Sequence, residues 1–271
     1  MVSKIQQHSS PSILQSILAY KRQEVEWRKK RRPLQELKAA LRDAPEPRPF
    51  RTLLKTGFHI IAEYKKASPS RGVIATAVPL TKQLLAYQQG GASAISILTD
   101  EHFFRGSLND LRRARQFTQL PLLRKDFIID AYQVWESRLW GADVILLIAT
   151  ALTPEQIKQL SELAGELGMA VLLELHHRKE LDYLPDNTHH IVLGINNRNL
   201  QTFRVSLETS LNLKSELPAT LPAISESGVA TVEAVNRLKQ AGFRGVLIGE
   251  ALMRAPHPEQ FIQQLLQGGK A

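Results

Sequence analysis

Between His59 and Ile248, short apolar runs alternate with longer stretches whose apolar residues recur at helical spacing, and the change of period repeats eight times. The strand candidates are His59–Tyr64, Ala94–Leu98, Leu120–Arg124, Val144–Ala149, Ala170–Leu175, His190–Ile195, Pro222–Ser225 and Gly245–Ile248. The helical stretches lie around Leu80–Gln89, Leu108–Gln116, Ala131–Trp140, Pro154–Leu167, Arg178–Leu184, Leu207–Lys214, Thr231–Gln240 and Glu259–Leu266. A helix between successive strands makes each connection a crossover, so the strands run parallel and need cover on their outer faces. Eight such units in about 210 residues allow the last strand to close on the first, which predicts an α/β chain folded as a (β/α)8 TIM barrel. The competing doubly wound open sheet expects G-x-G-x-x-G after its first strand, whereas this strand runs into Glu63-Tyr64-Lys65-Lys66-Ala67-Ser68-Pro69-Ser70.

Two helical segments precede the barrel. Ile13, Leu14, Ile17, Leu18 and Val25 mark one, and Leu34, Leu37 and Leu41 mark a second that Pro33 can open. Pro45, Pro47 and Pro49 form a stiff connector after them. The expected organisation is an N-terminal helical extension, residues 1–50, on a single barrel domain, residues 51–271.

The chain contains no cysteine, which removes thiol nucleophiles, disulfides and thiolate metal sites. His176-His177 and His189-His190 lack the spacing of a metal site, so no metal is expected. The longest apolar run, near Val144, is too short for a bilayer span, and the first residues carry no apolar leader. A cytoplasmic protein, monomeric and not bound to membrane, is expected. A net charge of +9 suits anionic partners, and its densest run is Arg28-Lys29-Lys30-Arg31-Arg32. That run ends a helix, where cations complement the dipole, and lacks interleaved aromatics, so a solvated helix end is favoured over a nucleic-acid site.

Barrel chemistry projects from the C-terminal ends of the strands, where a purely structural strand has no use for charge. Glu63 and Lys65 end the first strand on one face, Lys125 the third, Glu174 the fifth, Asn196 the sixth and Glu226 the seventh. Singly, each has a bland reading: Glu174 as a paired carboxylate at the barrel mouth, Lys125 as a surface ion pair with Asp126. Together they form a convergent set of both signs, suited to proton transfer on a small anionic substrate. Ser225-Glu226-Ser227-Gly228 and Gly245-Val246-Leu247-Ile248-Gly249-Glu250, leading into a short helix, offer backbone N–H groups where barrels hold phosphate. Lys65, Ser227, Gly228, Gly249 and the backbone of Glu250 are candidates there. Phe103-Phe104 fit either a packed rim loop or a pocket wall.

These stretches, with Leu98-Thr99-Asp100, Phe104-Arg105-Gly106-Ser107, Leu123-Arg124-Lys125-Asp126-Phe127-Ile128-Ile129-Asp130, Gly194-Ile195-Asn196-Asn197-Arg198 and Ile224-Ser225-Glu226-Ser227-Gly228, resemble those of the indole-3-glycerol phosphate synthases. The resemblance runs over about residues 11–267. It implies a lyase of tryptophan biosynthesis that closes 1-(o-carboxyphenylamino)-1-deoxyribulose 5-phosphate to indole-3-glycerol phosphate, losing carbon dioxide and water without a cofactor. Lys125 then resembles the general acid, with a pKa lowered by burial and neighbouring cations, and Glu174 its proton-transfer partner in dehydration. Lys65 resembles the contact to the anthranilate carboxylate. Spacing does not divide the protons among Lys125, Lys65 and Glu174.

By the same resemblance Glu63, Asn196 and Glu226 position substrate hydroxyls and the lysines, Ser68 lies beside the substrate, and Arg198, Ser227, Gly228, Gly249 and Glu250 hold or support the phosphate. Phe104 and Leu147 are expected to wall the aromatic slot. Ala77, where the family often has an acidic residue, and Asn199, where it often has aspartate, depart from the pattern; they bear on loop mobility and local hydrogen bonding. The alternatives are another phosphate-binding barrel, such as a phosphoribosyl isomerase or a Schiff-base lyase using Lys65 or Lys125, a basic nucleic-acid-binding protein, and an inactive scaffold.

Overall fold

The structure, a computed structural model, describes residues 12–74 and 78–268. Eight parallel strands close into a barrel: β1 (His59–Tyr64), β2 (Ala94–Leu98), β3 (Leu122–Lys125), β4 (Val144–Ile148), β5 (Ala170–Leu175), β6 (Ile191–Asn196), β7 (Ala223–Glu226) and β8 (Gly245–Ile248). Each strand pairs with its sequence neighbours, and β8 closes on β1 with Gly245 opposite His59 and Ile248 opposite Ala62. Three strands begin later than periodicity predicts. Pro121 and Pro222 have no N–H for the ladder, so β3 and β7 start after them, and β6 starts after His190. The shift brings Lys125, Asn196 and Glu226 inside their strands.

Alternation divides the strand residues into two cores. Ile61, Leu123, Val144, Leu146, Leu172, Val192 and Ile224 fill the barrel, plugged below by Phe50 and Leu54. Ile60, Ile97, Leu122, Ile145, Leu147, Leu173, Leu193 and Val246 face outward against the helical ring. Leu147 is fully buried in that outer layer, so the expectation that it walls the aromatic slot is corrected. Leu146 and Ile148, one residue to either side, face the cavity.

The N-terminal residues fold as α1 (Ile13–Arg31), opened by a capping box between Ser12 and Gln15, and α2 (Leu34–Ala40) after Pro33. The proline-rich connector leads into α3 (Phe50–Leu53) and is tied to the barrel floor by Asp143, which accepts from Arg48 N at 2.6 Å and Leu122 N at 2.7 Å. The crossover helices are α4 (Leu80–Gly90), α6 (Leu108–Phe117), α7 (Ala131–Leu139), α8 (Pro154–Glu166), α9 (Glu208–Lys214), α10 (Val232–Gln240) and α12 (Pro258–Gln267), with short α5 (Glu101–Phe104) and α11 (Glu250–Arg254) in loops. The stretch Arg178–Tyr183 is a 3₁₀ segment rather than an α-helix. Glu180 folds back onto the N–H groups of His176 and His177, and Pro185 holds Leu184 extended.

Much of the basic run is paired internally: Arg28 with Glu24 at 2.6 Å and Glu136 at 3.0 Å, and Lys29 with Asp130 at 2.8 Å. Arg31 stacks on Trp27 at 4.7 Å. Among the described residues, no helix is long and apolar enough to cross a membrane.

Candidate active site

A cavity of about 590 Å³ opens at the C-terminal end of the barrel. Even spacing decides which side chains reach it: Glu63 shares the inward side with Ile61, Lys125 with Leu123, Glu174 with Leu172, Asn196 with Val192 and Glu226 with Ile224. Lys65, Ser68, Phe104, Arg198, Ser227, Gly228, Gly249 and Glu250 also line it. Of the site residues expected from sequence, only Leu147 is absent from the walls.

Lys125 lies at the centre. Its Nζ is 2.9 Å from Glu174 Oε2 and 2.6 Å from Glu226 Oε2. Glu174 Oε1 accepts from Asn196 Nδ2 at 3.0 Å and lies 3.5 Å from His176 Nε2. Lys65, nearer the mouth, pairs with Glu63 Oε1 at 2.6 Å. Two glycines make room for this cluster: a Cβ at Gly194 would collide with the Glu226 carboxylate, and one at Gly249 with that of Glu63.

Burial acts to lower the Lys125 pKa, but the charges of Glu174, Glu226 and Glu63 outweigh it and hold the ammonium well above its ordinary range. The expected lowering by neighbouring cations is therefore corrected: carboxylates surround this lysine. Burial also opposes the charge on Glu174, yet Lys125, His176 and Asn196 overcome it and keep that carboxyl ionised to about 2. Glu226 goes the other way, pushed up to about 7 by burial and by the negative charges of Glu174 and Glu63, against the pull of Lys125. Lys125 is shared between two carboxylates, and Glu226, whose Oε1 meets no donor, is the one that favours a proton.

The cavity is apolar on one side and lined with backbone turns on another. Ile13, Leu14 and Ile17 of α1 join Phe104, Phe127, Leu146 and Ile148 as apolar walls, with the Phe104 and Phe127 rings 5.9 Å apart. Phe103 turns away toward Tyr20 and His102, so the two neighbouring aromatics divide between the wall and the rim packing. On the other side Ser227 and Gly228 take successive positive φ values of 67° and 77°, a tight turn in the cavity wall. The Glu250 carboxylate is taken up by Arg71 at 3.4 Å and Arg254 at 3.3 Å, which leaves its backbone at the cavity edge. Asn199 accepts from Gln201 N and Thr202 N at 2.9 and 2.8 Å, a turn that an aspartate would also make. Ala77 lies outside the described residues.

Sequence reasoning missed several participants. Asp126 does not pair with Lys125 at the surface; alternation sends it to the opposite side, fully buried with Arg124 and Lys21. His176 behind Glu174 and the apolar residues of α1 were likewise unassigned. For Lys21 a signal existed: with Ile17 and Val25 it falls on the buried stripe of α1 at spacing of four.

The sequence matches the family model described as indole-3-glycerol phosphate synthase over residues 14–265. Among curated relatives of that name, one from Bacteroides thetaiotaomicron is 45% identical, covering 94% of this chain and 98% of the relative. One from Polaromonas naphthalenivorans is 44% identical over 93% of this chain and 98% of its own length. Among solved structures, 3-hexulose-6-phosphate synthase from Salmonella typhimurium superposes with a TM-score of 0.62 at 13% identity, covering 78% of this chain and 98% of the other. The tryptophan synthase alpha subunit from Legionella pneumophila gives 0.57 at 14%, covering 86% and 97%. At such low identity the solved structures share the barrel alone. Identity sustained along nearly the whole chain, together with the family match from end to end of the barrel, shows that this chain belongs to the indole-3-glycerol phosphate synthase family.

Proposed function

We propose that this site closes the indole ring of 1-(o-carboxyphenylamino)-1-deoxyribulose 5-phosphate, with Lys125 as general acid and Glu174 as its proton-transfer partner. The observation that carries the reading is the placement of Lys125 Nζ within 2.9 Å of Glu174 and 2.6 Å of Glu226 at the foot of a cavity with an apolar wall. Ring carbon attacks the ribulose carbonyl, and the developing alkoxide takes a proton from Lys125, which its carboxylate neighbours keep loaded. The carboxylate of the anthranilate carbon leaves as carbon dioxide, and its electron pair restores the ring. Loss of the new hydroxyl as water then needs one proton delivered to the oxygen and one removed from the adjoining carbon–nitrogen unit. Glu174, held ionised, is suited to the removal.

In this reading Lys65 meets the substrate carboxylate, Ser68 lies beside it, and Phe104 with Leu146 and Ile148 encloses the ring. Arg198, Ser227, Gly228, Gly249 and the Glu250 backbone receive the phosphate, and Glu63, Asn196 and Glu226 orient the lysines and hydroxyls. A Schiff-base lyase is disfavoured by the same geometry, since an amine nucleophile must be neutral and Lys125 sits between two carboxylates.

The test is indole fluorescence on mixing protein with the carboxyphenylamino-deoxyribulose phosphate, with Lys125→Ala as control. A signal that the variant loses supports the reading; silence from a folded wild-type protein that binds the substrate overturns it.

A further inference from the structure

The N-terminal helix does more than cover the barrel mouth. Lys21 is 1% exposed, and its Nζ lies 2.9 Å from each of Glu24 Oε2 on its own helix, Asp100 Oδ2 after β2 and Asp126 Oδ1 after β3. Asp126 immediately follows Lys125 in the chain. Its Oδ1 also accepts from Phe127 N at 2.8 Å, while Oδ2 accepts from Thr99 Oγ1 at 2.6 Å and Arg124 Nη2 at 3.0 Å. Asp100 caps α5 by accepting from Phe103 N at 2.7 Å, and α5 carries Phe104. One ammonium thus joins the residue beside Lys125 to the helix that supplies the aromatic wall.

Stability alone gives little reason for such an arrangement, because buried ion clusters replaced by well-packed apolar groups are often equally or more stable. What the cluster supplies is direction. Asp126 and Lys125 point to opposite sides of one strand end, so whatever fixes the Asp126 carboxylate fixes the backbone from which Lys125 reaches Glu174 and Glu226.

We propose that Lys21 is a positioning residue for the ring-closure reaction, acting through Asp126 on Lys125 and through Asp100 on Phe104. The proposal rests on the reading of Lys125 as the acid. It makes the N-terminal helix a part of the reaction geometry at a single named contact.

The experiment compares Lys21→Met with Lys29→Met by single-turnover rate, KM, pH profile and melting temperature. Lys29 also ties α1 to the barrel, through Asp130 at 2.8 Å, but shares no partner with Lys21 or Asp126. Lys21→Met is expected to lower the chemical rate about 10- to 100-fold, since displacement of a reacting group by about 1 Å costs that much, while KM changes less. It is also expected to create an acid limb. Asp126 then keeps Arg124 as its direct cationic partner, with Arg28 as a further cation and Asp100, Glu24 and Glu136 as the carboxylates nearby, so its protonation moves up toward the working range. Lys29→Met is expected to leave rate and pH profile unchanged, with a small fall in melting temperature.

A Lys21→Met protein whose rate and profile match those of Lys29→Met overturns the proposal. If Lys21→Met does not fold, Asp126→Asn reads the link from the other end: a rate loss of tenfold or more supports it, a rate within about twofold of wild type overturns it. Lys125→Ala, run alongside, separates the failures. Activity retained in Lys125→Ala defeats the acid assignment, whereas an inactive Lys125→Ala beside an unaffected Lys21→Met defeats only the role of Lys21.

Discussion

Glu226 Oε2 lies closer to Lys125 Nζ than Glu174 Oε2 does, 2.6 Å against 2.9 Å, yet Glu226 is the carboxylate driven toward the neutral form. The second oxygen explains the inversion. Glu174 Oε1 has Asn196 and His176 beside it, while Glu226 Oε1 is buried with no donor. One lysine shared by two carboxylates leaves the less supported one to take the proton.

A stability signature follows from that proton. Because the folded pKa of Glu226 is raised to about 7, the folded state keeps a proton that the unfolded chain releases near pH 4. Its contribution is complete below the unfolded value and is lost as pH rises toward 7. Melting temperature measured from pH 4 to 8 should fall less steeply in Glu226→Gln, which stays neutral, than in the wild type. Parallel curves would show that Glu226 is ionised throughout.

For the reaction itself, Lys125→Ala and Glu174→Gln should each reduce turnover by about two to four orders of magnitude, the usual worth of a positioned acid or base. Both should keep the circular-dichroism spectrum and melting cooperativity of a folded barrel. Glu226→Gln retains a polar neutral group at its position and should lose far less. Equal losses in all three variants would mean that Lys125 needs the pair of carboxylates more than it needs Glu174 as a base.

Gly194 offers a geometric test of the same pair. Its hydrogen faces the Glu226 carboxylate, so Gly194→Ala must push that carboxylate from its place beside Lys125. Overpacking of this kind costs about 1–3 kcal/mol. Turnover should fall at least tenfold while the melting curve stays cooperative, and the loss should be smaller when Glu226→Gln is already present, because the two changes act on one contact. Additive losses would place the effect of Gly194 elsewhere.

The barrel and its polar rim were legible because both depend on periodicity: strands must repeat, and a charge at an inward position near a strand end has nowhere else to go. Lys125, Glu174, Asn196 and Glu226 all obey that rule. What stayed hidden depends on partners far apart in sequence. Lys21 meets Asp100 and Asp126 only after α1 has folded across the mouth, and the sign of the Lys125 shift depends on which carboxylates converge from β1, β5 and β7. Arg124, next to Lys125 in the chain, is sent outward by alternation to Asp126 and Glu136.

Leu147 shows how one residue of phase changes a functional assignment, and the phase can be measured. Val144, Leu146 and Ile148 face the barrel interior, whereas Ile145 and Leu147 face the helices. Leu147→Ala should therefore act on the outer core alone, lowering unfolding stability by about 2–5 kcal/mol with KM unchanged. Leu146→Ala removes part of the cavity wall, so its stability loss should come with a raised KM for the carboxyphenylamino substrate. Denaturant titration and steady-state kinetics on the two variants read the two effects separately. If Leu147→Ala raised KM and Leu146→Ala did not, the inward phase of β4 would be wrong by one residue. Glu174, opposite Ile148 in the ladder, would then be placed wrongly with it.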